Sequence, residues 1–230
     1  MQDFLGIEKI IKIKFNNKEL LKEALTHRSY LNEHRNDKQT KHNERLEFLG
    51  DAVLELSVTQ YLFNNYDNQE GELTNWRAAL VKGDTLAKVS DQLDIEKFLL
   101  MSKGEKQDMG RARKYRLANM MEAVIGAIYL DQGFNRANRF IEENIIIRLE
   151  NIIKNKTYLD AKSYFQQKAQ EELHTTPHYE VIKEDGPDHN KVFLVGIFIG
   201  EDKVAEGQGA SKQEAQRAAA QNGLEIKKWI

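Results

Sequence analysis

The sequence predicts an all-α N-terminal domain joined to a small α+β domain of order α-β-β-β-α. Three observations predict it. Apolar residues recur at helical spacing through roughly the first two thirds of the chain. The rhythm then changes to short strand-like runs flanked by two helical stretches. Both prolines, Pro177 and Pro187, lie in this second part at strand borders, where a missing N–H is tolerated. The 230 residues suffice for one large domain or two small ones. The expected division is a helical domain over 1–154, a linker over 155–157 and the α+β domain over 158–230.

Residues 7–13 and 17–26 read as two short amphipathic helices. Leu20, Leu21, Ala24 and Leu25 are the apolar members of the second. Residues 30–42 are dense in His, Asn, Asp and Lys and read as a loop. A long helix covers 43–63. Residues 71–91 hold a helix pair, punctuated at Gly83-Asp84. Residues 102–113, rich in Gly, Lys and Arg, read as a surface loop. An apolar helix spans 115–130 and ends near Gly133, and an amphipathic helix follows over 135–154. In the second domain, 161–172 is helical. Residues 179–183 and 191–199 are strands around a turn at 185–189, and 203–206 is a third strand. An Ala-rich helix over 211–228 completes it, with both helices expected on one face of the sheet.

Hydrophobic residues make up 40% and charged residues 30%, the balance of a soluble globular chain. The absence of Cys excludes disulfides, thiol nucleophiles and Cys-ligated zinc, and it suits a reducing, cytoplasmic setting. No signal peptide or membrane span is expected. The net charge is -2, and residues 157–230 carry nine Lys plus Arg against twelve Asp plus Glu. A nucleic-acid site must therefore come from local placement of charge, not from a bulk field.

The chemistry concentrates in the run Asn43-Glu44-Arg45-Leu46-Glu47-Phe48-Leu49-Gly50-Asp51-Ala52-Val53-Leu54. Glu44, Glu47 and Asp51 fall on one helical face. Like charges there repel, and apolar surroundings raise the cost, so a cation is expected among them. A second helix offers Asn119 and Glu122, three apart and on one face, with Glu122 inside an apolar run. Carboxylate and amide oxygens suit a hard divalent ion such as magnesium. Plainer readings stand beside this one. Glu44 and Glu47 can flank Arg45 on a solvated face and pair with Lys41. Asn119 can bond within its helix or fill the core. His27 can be a structural hydrogen-bonding residue.

These residues resemble a family. The 43–54 run closely resembles the signature of the bacterial ribonuclease III family of double-stranded-RNA endonucleases. The segments Ala24-Leu25-Thr26-His27-Arg28-Ser29-Tyr30, Gly83-Asp84-Thr85-Leu86-Ala87 and Ser102-Lys103-Gly104-Glu105 resemble it too. So does Glu122-Ala123 followed by Gly126-Ala127-Ile128-Tyr129-Leu130-Asp131. The resemblance implies magnesium, with manganese able to substitute, at Glu47, Asp51, Asn119 and Glu122. Asp51, Glu122 and Glu44 are the implied catalytic residues, with Glu44 acting nearer the RNA or through water. The family often has Asp where this chain has Asn119, which removes a charge but keeps a carbonyl oxygen. Slightly weaker metal retention is expected.

Residues 160–166 and 176–179, Gly186-Pro187-Asp188-His189, Gly207-Gln208-Gly209 and Ser211-Lys212-Gln213-Glu214-Ala215 resemble a double-stranded-RNA-binding domain. Such domains read duplex shape, phosphates and 2′-hydroxyls. Gln166 and Gln170 share a helix face suited to one minor groove, and Pro187, Asp188 and His189 form a loop suited to a second. Ser211 and Lys212 open the last helix, where N–H groups and a Lys suit phosphates. With its net of -3, this module is expected to hold RNA weakly and with strong salt dependence. The resemblance further implies cuts in both strands, 5′-phosphate and 3′-hydroxyl ends, two-nucleotide 3′ overhangs, and processing of ribosomal, transfer and some messenger RNAs. Two staggered cuts require a homodimer, with Phe48 as the interface aromatic; a Phe48 in its own subunit's core is the alternative. The rival functions are a non-catalytic double-stranded-RNA-binding protein and a phosphohydrolase acting on small phosphates.

Overall fold

The computed structural model describes residues 4–34, 40–156, 158, 160–187 and 191–229. The chain divides into two compact units, Met1–Ile152 and Ile153–Ile230. The first is helical: α1 (Phe4–Ile11), α2 (Lys18–Ala24), α3 (Arg28–Glu33), α4 (Glu44–Asn65), α5 (Glu70–Val81), α6 (Gly83–Gln92), α7 (Lys103–Gln107), α8 (Arg111–Gln132), α9 (Phe134–Asn144) and α10 (Leu149–Lys154). Single 3₁₀ turns lie at Glu96–Phe98 and Ile146–Arg148. Among the described residues no helix is long and apolar enough to cross a membrane.

Helix α8 is the axis of this unit. From Arg116 to Ile128 only Asn119 and Glu122 escape full burial. A helix apolar on nearly all sides must be surrounded. Accordingly α4, α6, α2 and α9 pack around it, with α4 making the largest contact. Each fully buried Leu, Ile or Met here contributes about 1.5–3 kcal/mol.

Three expectations need correction. Residues 30–33 are not loop but the last part of α3, because His27 caps that helix: its ring nitrogen accepts from the Ser29 N–H at 3.3 Å. Residues 102–113 hold the short helix α7, capped by Ser102, and the first turn of α8. The helix expected over 135–154 breaks after Asn144. The backbone leaves regular helical geometry at Ile145, whose φ is -115°, and the chain tightens into a 3₁₀ turn before α10.

The second unit is α11 (Ala161–Leu173), β1 (His178–Asp185), β2 (Val192–Ile199), β3 (Asp202–Gly209) and α12 (Lys212–Ile226). The strands form an antiparallel sheet in the order β1-β2-β3. Tyr164, Phe165 and Ala169 of α11 share one core with Ile197, Ala205 and the α12 residues Ala219, Ala220 and Leu224. The strands run further than the sequence patterns suggest because backbone pairing continues where side chains are exposed. Between Val181 and Lys183 the β1–β2 register shifts by one residue.

Candidate active site

The site is made where α4 crosses α8. A Cβ added at Gly50 would lie 1.7 Å from the carbonyl oxygen of Glu122. One added at Gly126 would lie 2.3 Å from the carbonyl oxygen of Leu46. Only glycine permits that approach, so the two backbones touch. Glu47 and Asp51 flank Gly50 on α4, and Asn119 and Glu122 precede Gly126 on α8. The crossing therefore turns two sequence-distant pairs toward each other.

Their electrostatics show the proximity. Burial pushes the Glu122 carboxyl up to about 8, and the charges of Asp51 and then Glu47 add to the rise. Glu47 is raised as well, first by burial and then by Glu44, with Asp51 adding a smaller push. The Asn119 amide donates to the Glu47 carboxylate and partly offsets this. No Lys or Arg figures among the groups acting on either acid.

Glu47, Asp51, Asn119 and Glu122 are thus brought together. Glu44 is exposed at the rim, where Arg28 holds it at 3.1 Å and His42 stands at 3.8 Å. Its partner is Arg28, not the Lys41 considered from sequence. Among the described residues no three His, Asp or Glu side chains are already gathered as a ligand set. The donor chemistry nonetheless fits a hard divalent cation. The crossing offers carboxylate and amide oxygens, and Glu122 retains a proton into neutral pH that a cation would displace.

Phe48 is 81% exposed, so the core alternative fails. It borders a groove lined by Leu20, His42, Arg45, Leu49 and Leu130. Leu56 and Phe63 continue the exposed apolar side of α4.

Sequence reasoning missed Arg116. This buried side chain donates to Glu105 Oε2 and to the Asp108 carbonyl, both at 2.7 Å, and pins α7 to α8. Ser29 completes the brace: its hydroxyl accepts from the Ser102 N–H at 3.0 Å and lies 2.8 Å from His27 Nδ1. The available signal was the last Arg of a basic stretch, set directly against an apolar helical run. His27 is held below its usual pKa, mainly by burial, and serves this brace.

In the second unit Gln166 and Gln170 are exposed on α11, and Pro187 is exposed beyond β1. Asp188 and His189 lie outside the described residues. Ser211 caps α12 by accepting from the Glu214 N–H at 3.2 Å. Lys212 is paired with Glu184 at 2.9 Å.

A family model described as Ribonuclease-III-like matches residues 17–149, and one described as Double-stranded RNA binding motif matches residues 161–227. A Ribonuclease 3 of Oceanobacillus iheyensis is 44% identical over 224 residues, covering 97% of each chain. The chain belongs to the ribonuclease III family. A Clostridium perfringens Ribonuclease 3 is 43% identical, covering 97% of this chain and 93% of its own. The solved nuclease domain of a Campylobacter jejuni ribonuclease III is 42% identical and superposes with a TM-score of 0.54, covering 60% of this chain and 96% of that one. As a ribonuclease III the chain is an endonuclease acting on double-stranded RNA, with an RNA-binding domain of its own.

Proposed function

We propose that this ribonuclease III works as a homodimer that cuts both strands of an RNA duplex, leaving 5′-phosphate and 3′-hydroxyl ends with two-nucleotide 3′ overhangs. The observation that carries the reading is the α4–α8 crossing, where Glu47, Asp51, Asn119 and Glu122 face one another with no basic side chain among the groups that shift Glu47 and Glu122. Magnesium is the proposed ion, with manganese as a substitute, since both favour oxygen ligands. Glu47, Asp51 and Glu122 would hold it, and Asn119 would add its carbonyl oxygen once its amide turns from Glu47. When bound, the ion supplies a Lewis acid and lowers the pKa of a bound water. The protein's own part is to orient these oxygens. Glu44, tethered by Arg28, is assigned to the rim that meets RNA.

Two staggered cuts need two such sites about a two-fold axis. Exposed Phe48 and the adjoining groove support a pairing in which each Phe48 enters the other subunit. The proposed setting is the cytoplasm, with precursors of ribosomal and transfer RNA and some messenger RNAs as substrates. In the second unit, Gln166, Gln170 and the loop of Pro187, Asp188 and His189 are assigned to minor grooves, and Ser211 and Lys212 to phosphates.

Labelled duplex RNA, incubated with magnesium and then with EDTA, tests the reading. Cleavage is expected only with the metal. Glu122→Gln is expected to bind the duplex but to cut it about a thousandfold more slowly, the scale of several kcal/mol of lost transition-state stabilisation. A folded dimer that binds duplex and never cuts it would establish the non-catalytic rival instead.

A further inference from the structure

The first residue of α12 is held by an anion from the sheet. Lys212 Nζ lies 2.9 Å from Glu184 Oε1 and 5.6 Å from the centre of the Phe193 ring. Glu184 and Phe193 are cross-strand partners, so they project on the same side of the sheet, beneath the start of α12. The register shift between Val181 and Lys183 decides which residue stands there. Val181 pairs with Val195, so an unbroken ladder would set Lys183 opposite Phe193. The extra residue instead brings Glu184 to that position and turns Lys183 to the other face, where it pairs with Asp185 at 2.7 Å. A one-residue bulge thus replaces a cation by an anion next to Lys212.

We propose that Glu184 occupies the place of an RNA phosphate on Lys212, so that duplex binding must displace it, and that this exchange sets the RNA affinity and salt dependence of the domain. The proposal rests on the reading of Lys212 as a phosphate contact. Both side chains are about half exposed, and an ion pair so open to solvent is weak enough for a phosphate to replace it. Other cations of the unit are compensated in the same manner: Lys168 by Glu171 at 2.9 Å, Arg217 by Asp160 at 3.6 Å and Lys203 by Glu206. A phosphate that takes Lys212 from a carboxylate leaves that carboxylate close by, and fewer counterions are released in net. The module is therefore less salt-sensitive than its net charge suggests, the reverse of the expectation from sequence.

The test is duplex binding by the full chain in EDTA, measured across a salt series. The proteins are wild type, Glu184→Gln, Glu180→Gln, Lys212→Ala and the double variant Glu184→Gln/Lys212→Ala. Glu180 lies on the same strand, with His178 as its partner at 3.5 Å, and controls for the loss of one negative charge. Glu184→Gln is expected to tighten binding about two- to fivefold at low salt. It should also steepen the log–log salt slope by up to about one ion. Glu180→Gln should do clearly less, and the gain should vanish when Lys212 is absent. A Glu184→Gln effect that matches Glu180→Gln, or persists without Lys212, overturns the proposal. If Lys212→Ala weakens binding while Glu184→Gln changes nothing, the proposal alone fails. If Lys212→Ala binds as wild type does, the phosphate contact itself is wrong and the proposal falls with it.

Discussion

Glu122 keeps its proton to about pH 8 in the folded, metal-free chain, whereas an unperturbed Glu loses it near 4.5. The folded state then binds more protons than the unfolded state between those values, so stability falls as pH rises through that window. Thermal unfolding in EDTA should show a decline from about pH 5 to 8. Glu122→Gln should flatten it, and added magnesium should restore stability with release of a proton. A Glu122→Gln profile as steep as wild type would place the titration elsewhere. At the same scale, Glu105→Gln leaves the buried Arg116 guanidinium without its anion and should cost about 1–3 kcal/mol in a denaturant titration. The acids were legible in the sequence because carboxylates inside apolar runs are costly anomalies. Arg116 was equally anomalous but went unread, because its partners Glu105 and Asp108 sit in a segment that looked like loop.

The element that makes the site is a crossing, not a motif. Gly50→Ala or Gly126→Ala would drive a methyl into a backbone carbonyl, and no side chain is there to swing aside. Each should destabilise by at least about 1–3 kcal/mol and displace Glu122 from Asp51. The expected reading is a lower unfolding midpoint together with weaker calorimetric magnesium binding. Core substitutions such as Leu117→Ala should lower the midpoint alone. The long helices were legible because burial imposes their period over many turns. The short ones were not: α3 and α7 are six and five residues long and depend on the caps at His27 and Ser102. The closeness of the two glycines could not be read from one sequence either, since spacing along a helix says nothing about which helix it meets.

At the scale of the molecule, the two-unit division was visible as a change from helical to strand-like rhythm, and the compact units part between Ile152 and Ile153. The proposed dimer makes a sharp prediction. Phe48→Asp puts a charge into the expected apolar contact, and sedimentation should then report monomer. Double-strand cleavage should drop far more than duplex binding by the RNA-binding domain. A Phe48→Asp protein that stays dimeric would move the interface elsewhere. The compensated cations of the second unit bear on kinetics as well. With nine Lys plus Arg against twelve Asp plus Glu over 157–230, this part of the chain offers a polyanion little net attraction, and encounter is expected in the unsteered range of about 10⁵–10⁶ M⁻¹s⁻¹. Slow capture has a corollary in a crowded pool of nucleic acid. The enzyme is drawn less often onto irrelevant strands, so fewer of its encounters are spent before a fitting duplex is met.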